Sequence, residues 1–374
     1  MKNSSRRQVI RVPLGERTYP IYIGTKLLSG VGDLFHEHRL PPTAVVITDS
    51  RVATLYLGIV ERSLVRSGFT VHSIVIPPGE KQKSLERAND IYTELLRKRI
   101  ERRSTIVALG GGVVGDLSGF IAATYQRGVG FVQIPTTLLA QVDSSVGGKV
   151  GVNHPLGKNM VGAFYQPNLV VADVSTLQTL PEREIVCGLG EVVKYGAIMD
   201  RKFFGYSGRN LRALFAKDPA ALKRVVSECC RMKAYVVSKD ERESGFRAIL
   251  NFGHTIGHAL EKAGGYRRLK HGEAILLGMA AESFIALQSG LLKAADAALI
   301  EETILSVPLP RLKDLPASPA RLIDAMRVDK KVAGSKIRFV LPTSVGRVLL
   351  PQPVETERIL EGLGYLRGFI AALR

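Results

Sequence analysis

Short, unbroken apolar runs rich in β-branched residues recur through the first half of the chain. Strands buried on both faces of a parallel sheet have this pattern, because neither face meets water. Between two of these runs, Ser84 is placed to cap a helix. This helix carries Ala88, Ile91, Tyr92 and Leu95 on one face. Alternating strands and helices predict a doubly wound α/β domain. The predicted strands are 44–47, 74–76, 105–109, 131–134 and 169–172, preceded by a hairpin of 9–14 and 18–23.

The pattern changes to helical spacing near Pro181. Pro181 followed by Glu182 and Glu184 suits the start of a helix. We therefore predict two domains, an α/β domain over 1–180 and a mainly α-helical domain over 181–374. The predicted helices are 184–199, 219–238, 249–263, 272–289, 294–305 and 319–326, and only 336–341 and 347–350 look extended.

The composition of the 374 residues, with 45% hydrophobic and 23% charged, is that of a globular protein. The apolar stretch 274–292 is interrupted by Glu282, so no membrane span is predicted. The N-terminus lacks the apolar segment of a secretion signal, and three cysteines do not form a disulfide framework. These features predict a soluble, cytoplasmic protein.

The chain is strongly basic, with 52 Lys and Arg against 34 Asp and Glu, a net charge of +18. Such a charge raises nucleic acid as a possible partner. The basic residues are scattered, however, and the densest run, 97–103, closes a predicted helix, where cations suit the dipole. The charge also suits attraction of a small anionic substrate. We predict a small-molecule partner, and neither a nucleic acid nor a membrane.

A glycine-rich turn follows the predicted strand 105–109. Gly110, Gly112 and Gly115 satisfy the spacing G-x-G-x-x-G. Glycines let the backbone approach a pyrophosphate, and the N-terminus of the next helix offers N–H groups to the anion. No acidic residue closes the next strand, so Asp49, at the end of an earlier strand, is the better ribose ligand. The turn predicts a Rossmann-like nucleotide-binding domain that differs in strand order from an ordinary dehydrogenase.

Histidines cluster in the predicted helical domain. His254 and His258 lie on one helix face, and His271 heads the next helix. Clustered imidazoles with a carboxylate nearby suit a catalytic Zn²⁺ site with one open position. The sequence is not H-E-x-x-H, which excludes the metalloprotease pattern. Spacing alone leaves open which two histidines bind the metal and which carboxylate joins them.

Basic and amide side chains accumulate in glycine-rich or element-terminal positions, where a ligand can approach closely. Each taken alone is an ordinary surface residue, but together they suggest a pocket for a polyanionic small molecule. They are Arg127, Lys149, Lys158, Asn159, Lys194, Lys233, Arg247 and Asn251.

Four segments resemble the 3-dehydroquinate synthases, members of the sugar-phosphate cyclase family. They are 110–167, GLGEVVKYG at 188–196, RAILNFGHTIGHALE at 247–261 and HGEAI at 271–275. The resemblance extends from about residue 9 to 341, whereas 351–374 carries no motif we recognise. The related 2-deoxy-scyllo-inosose and 2-epi-5-epi-valiolone synthases are the nearest alternative, and a metal-dependent polyol dehydrogenase is a second.

The resemblance implies roles for individual residues. The metal ligands would be Glu191, His254 and His271. The NAD site would comprise Asp49, Gly79, Glu80, Lys81, Gln82, Lys83, Gly111, Gly112, Val113, Val114, Gly115, Asp116, Thr136, Thr137, Lys149, Lys158, Thr176, Leu177, Gln178 and Thr179. Substrate and catalytic contacts would come from Arg127, Asp143, Lys149, Asn159, Lys194, Lys233, Arg247, Asn251 and His258, with either Lys330 or Lys331.

The resemblance also implies a reaction, a step of the shikimate pathway that leads to chorismate and the aromatic amino acids. 3-Deoxy-D-arabino-heptulosonate 7-phosphate is converted to 3-dehydroquinate and phosphate, which makes the enzyme a carbon–oxygen lyase. The steps are a transient oxidation by NAD, β-elimination of phosphate, reduction and an intramolecular aldol. The expected cofactors are NAD and Zn²⁺ or Co²⁺, and the expected assembly is a homodimer.

Overall fold

The computed structural model describes residues 7–329 and 336–373. Lys330 and Lys331, the alternative substrate lysines, lie outside the described residues. Within those two ranges, every helix is too short or too polar to cross a membrane.

The strands and helices, numbered in chain order, follow the predicted alternation and then the predicted run of helices. The strands are β1 Arg7–Val12, β2 Tyr19–Gly24, β3 Thr43–Asp49, β4 Thr70–Ile76, β5 Ser104–Gly110, β6 Gly130–Pro135, β7 Lys149–His154, β8 Gly157–Phe164, β9 Leu169–Asp173, β10 Arg338–Phe339, β11 Pro342–Ser344, β12 Arg347–Val348 and β13 Gln352–Pro353. The helices are α1 Val31–Glu37, α2 Ser50–Val52, α3 Gly58–Arg66, α4 Leu85–Arg97, α5 Gly112–Thr124, α6 Glu182–Met199, α7 Arg201–Arg209, α8 Leu211–Phe215, α9 Pro219–Lys239, α10 His254–Ala263, α11 His271–Gln288, α12 Ala294–Leu305, α13 Pro319–Asp329 and α14 Thr356–Ala372.

A seven-stranded sheet with the order β1-β2-β9-β6-β5-β3-β4 forms the centre of the first compact unit. β1 pairs antiparallel to β2, and the remaining neighbours are parallel. Alternate residues of β3 enter different cores. Val45 and Ile47 pack with α4 and α5, whereas Ala44 and Val46 pack with α1 and α3. Helices thus cover both faces, which explains the unbroken apolar runs and confirms the predicted doubly wound α/β fold.

The two compact units divide the chain mainly at Leu180 and Pro181, near the predicted change of pattern. Residues Pro219–Ser238 are an exception, because this stretch of α9 packs in the first unit rather than with the other helices. Side-chain contacts explain its placement: the Ser227 hydroxyl donates to Gln8 Oε1 at 2.8 Å, and the Cys230 thiol to the carbonyl of Gln141 at 3.2 Å.

The second unit contains α6–α8 and α10–α14 with short strands, in agreement with the predicted helical domain. Several features differ from the prediction. α10 begins at His254 rather than at 249, because Phe246–Asn251 forms a 3₁₀ turn. The helices α7, α8 and α14 of the second unit, and the β7–β8 hairpin of the first unit, have no counterpart in the prediction.

Candidate cofactor and metal sites

The strand order of the first unit contains a topological switch point. From β3 the chain passes outward to β4 and then returns to the other side of β3 as β5. In open α/β sheets, ligands bind at the carboxyl ends of strands beside such a point. β3 ends at Asp49 and β5 ends at Gly110, so the proposed ribose ligand and the glycine turn flank the switch point.

The glycine turn between β5 and α5 leaves little room for side chains. A Cβ atom on Gly110 would lie 2.7 Å from Cβ of Val114, and one on Gly111 would lie 3.0 Å from Cγ2 of Thr137. Glycine therefore allows the chain to turn tightly from the strand into the helix. The first turn of α5 presents backbone N–H groups at this point. The turn fits the pyrophosphate of a dinucleotide.

Most of the other residues assigned to NAD also follow carboxyl ends of parallel strands, whereas Lys149 and Lys158 lie on the β7–β8 hairpin. The segment 79–83 follows β4, Thr136 and Thr137 follow β6, and 176–179 follows β9. Asp49 Oδ1 accepts from the backbone amides of Arg51 at 2.9 Å and Val52 at 3.1 Å, so this carboxylate caps a helix. The fold gathers these assigned residues along one edge of the sheet.

Lys83 connects three segments of this edge. It is 5% exposed, and its Nζ atom contacts the carboxylate of Asp116 and the side-chain oxygen of Asn159. Burial raises the pKa of Asp116, and Lys83 opposes that rise. Beside this group, Lys158 Nζ lies 3.7 Å from Glu80 Oε1. The tip of the β7–β8 hairpin is thereby held against the turn after β4.

The substrate candidates of the first unit divide into two groups. Lys233 Nζ donates to both the carbonyl oxygen and Oδ1 of Asp143, each at 2.7 Å. Lys149 begins β7, directly after the left-handed Gly148. Arg127, in contrast, lies between the end of α5 and the start of β6, which is the amino edge of the sheet. Within this unit, the structure separates Arg127 from the glycine turn.

A carboxylate and two imidazoles meet in the second unit. Glu191 is fully buried on α6, whereas His254 and His271 are the first residues of α10 and α11. Glu191 Oε1 lies 3.6 Å from Nε2 of His254 and 3.4 Å from Nε2 of His271. One ligand atom from each residue lies within 4.8 Å of the others. This nitrogen and oxygen donor set suits Zn²⁺ or Co²⁺.

Glycines beside these three residues explain the convergence of the helices. A Cβ atom on Gly190 would lie 2.5 Å from the carbonyl oxygen of Gly272, so α6 and α11 touch through backbone. A Cβ atom on Gly278 would lie 2.0 Å from the carbonyl oxygen of Gly253, and α10 approaches α11 in the same way. Each glycine pair brings the adjoining ligands together. A glycine next to each candidate ligand was a sequence signal for this contact.

Hydrogen bonds orient both imidazoles. Nδ1 of His254 lies 3.1 Å from the carbonyl oxygen of Phe252. A neutral imidazole that donates from Nδ1 keeps its Nε2 lone pair for a metal. Burial and the positive charge of Lys194 lower the pKa of His254, which favours this neutral form. Burial opposes protonation of His271, but hydrogen bonds with Glu191 and Glu261 raise its pKa to about 10.

Lys194 and His258, two of the residues that the resemblance assigns to the substrate, lie beside the cluster. The ammonium group of Lys194 contacts Glu191 Oε2. The ring of His258 lies 5.2 Å from that of His254, centroid to centroid. In the sequence, Glu282 stands out only as an interruption of an apolar stretch. Its fully buried carboxylate accepts from the backbone amide of Gly253 at 2.7 Å and thus holds the turn before His254.

Arg247 and Asn251 belong to the turn before α10. Arg247 is 2% exposed, and its Nη1 donates to the carbonyl of Glu241 at 2.6 Å. Asn251 Nδ2 donates to Oε1 of Glu243 at 3.3 Å. In the sequence, the only signal for Glu243 is its place in the charged run 240–243. The turn thus places charged and amide groups immediately before the metal-site helix.

Two family models match adjoining stretches of the chain. The model described as 3-dehydroquinate synthase N-terminal matches residues 73–187, and the one described as 3-dehydroquinate synthase C-terminal matches residues 188–332. The chain belongs to the 3-dehydroquinate synthase family. This result confirms the resemblance carried by the four sequence segments.

Individual proteins agree with this family. A 3-dehydroquinate synthase of Desulforamulus reducens is 50% identical over 94% of this chain and 98% of its own length. A solved 2-deoxy-scyllo-inosose synthase, complexed with carbaglucose-6-phosphate, NAD⁺ and Co²⁺, is 26% identical with a TM-score of 0.88, covering 96% of this chain and all of that one. A solved 2-epi-5-epi-valiolone synthase from Streptomyces hygroscopicus has NAD⁺ and Zn²⁺ bound. It is 26% identical with a TM-score of 0.86, and the match covers 95% of this chain and 98% of that one.

Proposed function

We propose that this chain catalyses the reaction of its family, in which 3-deoxy-D-arabino-heptulosonate 7-phosphate becomes 3-dehydroquinate and phosphate. The observation that carries the proposal is the convergence of Glu191, His254 and His271 in a chain that is 50% identical to a 3-dehydroquinate synthase. The enzyme is a lyase of the shikimate pathway, since it breaks a carbon–oxygen bond by elimination. The family resemblance also supports a cytoplasmic homodimer.

The buried cluster is the proposed metal site. Glu191 and the Nε2 atoms of His254 and His271 would hold Zn²⁺ or Co²⁺. The ion would supply Lewis acidity toward substrate hydroxyl and carbonyl oxygens. Lys194 contacts Oε2 of Glu191 and leaves Oε1 directed at the two imidazoles. The chain itself therefore orients all three donor groups.

The carboxyl edge of the sheet in the first unit is the proposed NAD site. The turn from Gly110 into α5 would bind the pyrophosphate, and Asp49 the ribose. NAD would supply a reversible hydride acceptor and is regenerated in each turnover. The chain contributes binding and orientation, because glycine and threonine backbones line the ends of β5, β6 and β9.

Cationic side chains are assigned to the anionic groups of the substrate. Arg247 and Lys233 are nearly buried, at 2% and 5% exposure, so their charges are weakly screened. Their charge-assisted hydrogen bonds would hold phosphate and carboxylate oxygens. The resemblance assigns further contacts to Asp143, Lys149, Asn159, Lys194, Asn251 and His258. It also assigns Arg127, which the fold places at the amino edge of the sheet, away from the glycine turn.

The test is product formation by the purified protein with catalytic amounts of NAD and Zn²⁺. Given the heptulosonate phosphate, we expect one phosphate released for each 3-dehydroquinate formed, with no accumulation of NADH. Glucose 6-phosphate serves as the control substrate. Turnover of glucose 6-phosphate alone would assign the chain to a sibling cyclase activity. NADH formed in proportion to product would indicate a polyol dehydrogenase.

Two variants test the assigned sites. Glu191→Ala is expected to lose bound metal and turnover while the circular dichroism spectrum is retained. Lys149→Ala is expected to lower turnover while bound metal stays at the wild-type level. Full metal content in Glu191→Ala would show that another carboxylate binds the ion, and unchanged kinetics of Lys149→Ala would remove this lysine from the substrate contacts.

A further inference from the structure

Glu261 is a buried carboxylate to which the proposed function gives no role. It lies on α10 and is 6% exposed. Its Oε2 atom lies 3.2 Å from Nδ1 of His271. The other ring nitrogen of His271 faces Glu191, with Nε2 3.4 Å from Oε1. The imidazole of His271 therefore stands between two carboxylates that approach it from opposite sides.

We propose that Glu261 is a positioning residue that holds His271 as a metal ligand through Nδ1. The inference rests on the proposed metal site at Glu191, His254 and His271. Glu261 accepts a hydrogen bond from Nδ1–H of His271, which favours the tautomer with a lone pair at Nε2 and fixes the ring plane. A carboxylate at this place also makes the imidazole a stronger donor to the ion.

The two proposed imidazole ligands differ in how they are held. His254 contacts a neutral backbone carbonyl, that of Phe252, at 3.1 Å. His271 contacts the charged carboxylate of Glu261. Hydrogen bonds to an ionised acceptor are about twice as strong as neutral ones. The hydrogen bond to His271 is made by a side chain, so substitution of Glu261 removes it directly. The hydrogen bond to His254 is made by the backbone and is not removed by a side-chain substitution.

Glu261 also belongs to a second possible set of ligands. Atoms of His258, Glu261 and His271 lie within 4.8 Å of one another. In that set Glu261 would bind the ion itself. The geometry favours the positioning role, because Nδ1 of His271 faces Glu261 whereas both Nε2 atoms, of His254 and His271, face the same oxygen of Glu191.

The experiment measures the affinity of the full-length protein for Zn²⁺ by competition with a chromophoric chelator. Loss of a hydrogen-bonding partner behind a metal ligand typically weakens binding about 10- to 100-fold. We expect a loss of that size for Glu261→Ala, and a smaller one for Glu261→Gln, whose side-chain oxygen still accepts from Nδ1. His258→Gln is the matched control on the same helix and is expected to bind Zn²⁺ like the wild type.

The Co²⁺-loaded protein provides a second measurement that is independent of activity. Because the ligand set is unchanged under the proposal, Glu261→Ala is expected to keep the wild-type visible absorption spectrum at saturating Co²⁺. Unfolding of the metal-free variants is monitored by circular dichroism. This measurement separates an effect on the metal site from an effect on the stability of the fold. Glu261→Ala is expected to unfold cooperatively and to weaken metal binding under conditions where it is folded.

Three results would overturn the inference. Wild-type Zn²⁺ affinity in Glu261→Ala would remove the positioning role while leaving the metal site intact. Equal, severe losses in Glu261→Ala and His258→Gln, with an altered Co²⁺ spectrum, would make Glu261 a ligand. Retention of metal by Glu191→Ala would instead reject the proposed metal site itself, and the inference with it.

Discussion

Lys83 is a buried ammonium group with two polar neighbours, the carboxylate of Asp116 and the side-chain oxygen of Asn159. Removal of one member of a buried ion pair leaves the other charge without compensation. Burial already raises the pKa of Asp116, and the positive charge of Lys83 opposes the rise. The ionised form of Asp116 thus depends on a neighbour contributed by a different turn.

We predict that Lys83→Met lowers the free energy of unfolding by about 3 kcal/mol at pH 7. Without Lys83 the pKa of Asp116 rises further, so the folded protein binds a proton more tightly than the unfolded chain. The loss should therefore be smaller at pH 5 than at pH 7. Urea denaturation of the wild type and the variant at both pH values measures this loss of unfolding free energy. Lys83→Met/Asp116→Asn is the control and should recover part of the stability; equal losses at both pH values would contradict the prediction.

Asp240 holds the turn that contains Arg247. Its carboxylate accepts from the backbone amides of Ser244 at 2.8 Å, Gly245 at 2.8 Å and Arg247 at 3.0 Å. Burial opposes ionisation, but these hydrogen bonds hold the pKa of Asp240 well below its ordinary value. A lowered carboxyl pKa stabilises the fold above the pKa of the unfolded chain, about 3.9, and this stabilisation is lost as the pH falls further.

Asp240→Asn is therefore expected to be less stable than the wild type at pH 7, and the difference should shrink as the pH is lowered below about 4. The turn should also loosen around Arg247, so an increase in KM for the heptulosonate substrate is expected without loss of bound Zn²⁺. Denaturation midpoints across this pH range and steady-state kinetics provide the measurements. A stability difference that does not depend on pH would reject the carboxylate as its source.

At the scale of elements, the crossing of α6 and α11 depends on backbone contact. A Cβ atom on Gly272 would lie 1.9 Å from the carbonyl oxygen of Cys187, a distance that forces the helices apart. Gly364 on α14 offers the opposite case, since a Cβ atom there would meet nothing within 4 Å. Both positions lie within helices. The same substitution should therefore have opposite effects at the two sites.

Gly272→Ala is predicted to lower the free energy of unfolding by roughly 3 kcal/mol and to weaken Zn²⁺ binding, because separation of α6 from α11 moves Glu191 away from His271. Gly364→Ala should stabilise the protein by about 0.5–1 kcal/mol and leave the metal affinity unchanged. Thermal denaturation of the metal-free proteins and chelator competition test both. A Gly272→Ala protein with wild-type metal affinity would show that the crossing does not position the ligands.

Each element that was predicted well from the sequence carries a clear local pattern, such as an apolar run or a helix cap. The strand 44–47 is an unbroken apolar run, and Ser84 caps α4 as expected, accepting from the amide of Arg87 at 3.2 Å. The β7–β8 hairpin was missed because glycine and lysine replace the alternating apolar pattern in Gly157–Phe164. In α14, Gly362, Gly364 and Gly368 dilute an apolar stripe that tertiary packing nevertheless buries.

For the site as a whole, the sequence showed which residue types are present but not which of them lie close together in the fold. Spacing could place His254 and His258 on one helix face, yet it could not choose among carboxylates far away along the chain. That choice came from the family resemblance. The geometric reason appears only in three dimensions, where Gly190 and Gly272 bring α6 against α11. Local periodicity carries no information about such contacts between distant segments.

At the scale of the molecule, each compact unit holds one proposed cofactor site. The NAD residues before Leu180 lie in the first unit, and Glu191, His254 and His271 lie in the second. A ligand that binds only the folded state stabilises the segments that hold it, and amide hydrogen exchange reports this segment by segment. Addition of each cofactor separately should therefore give two different protection maps.

We predict that Zn²⁺ slows exchange most strongly at the start of α10, the start of α11 and the middle of α6, where its ligands lie. NAD⁺ should give its greatest protection in the turns after β3, β4, β5, β6 and β9. Exchange monitored by mass spectrometry on the full-length protein, with each cofactor alone, makes the comparison. In Glu191→Ala, the protection caused by Zn²⁺ should be lost, while the protection caused by NAD⁺ should remain. Strong protection of the glycine turn by Zn²⁺ alone would contradict the separate assignment of the two sites.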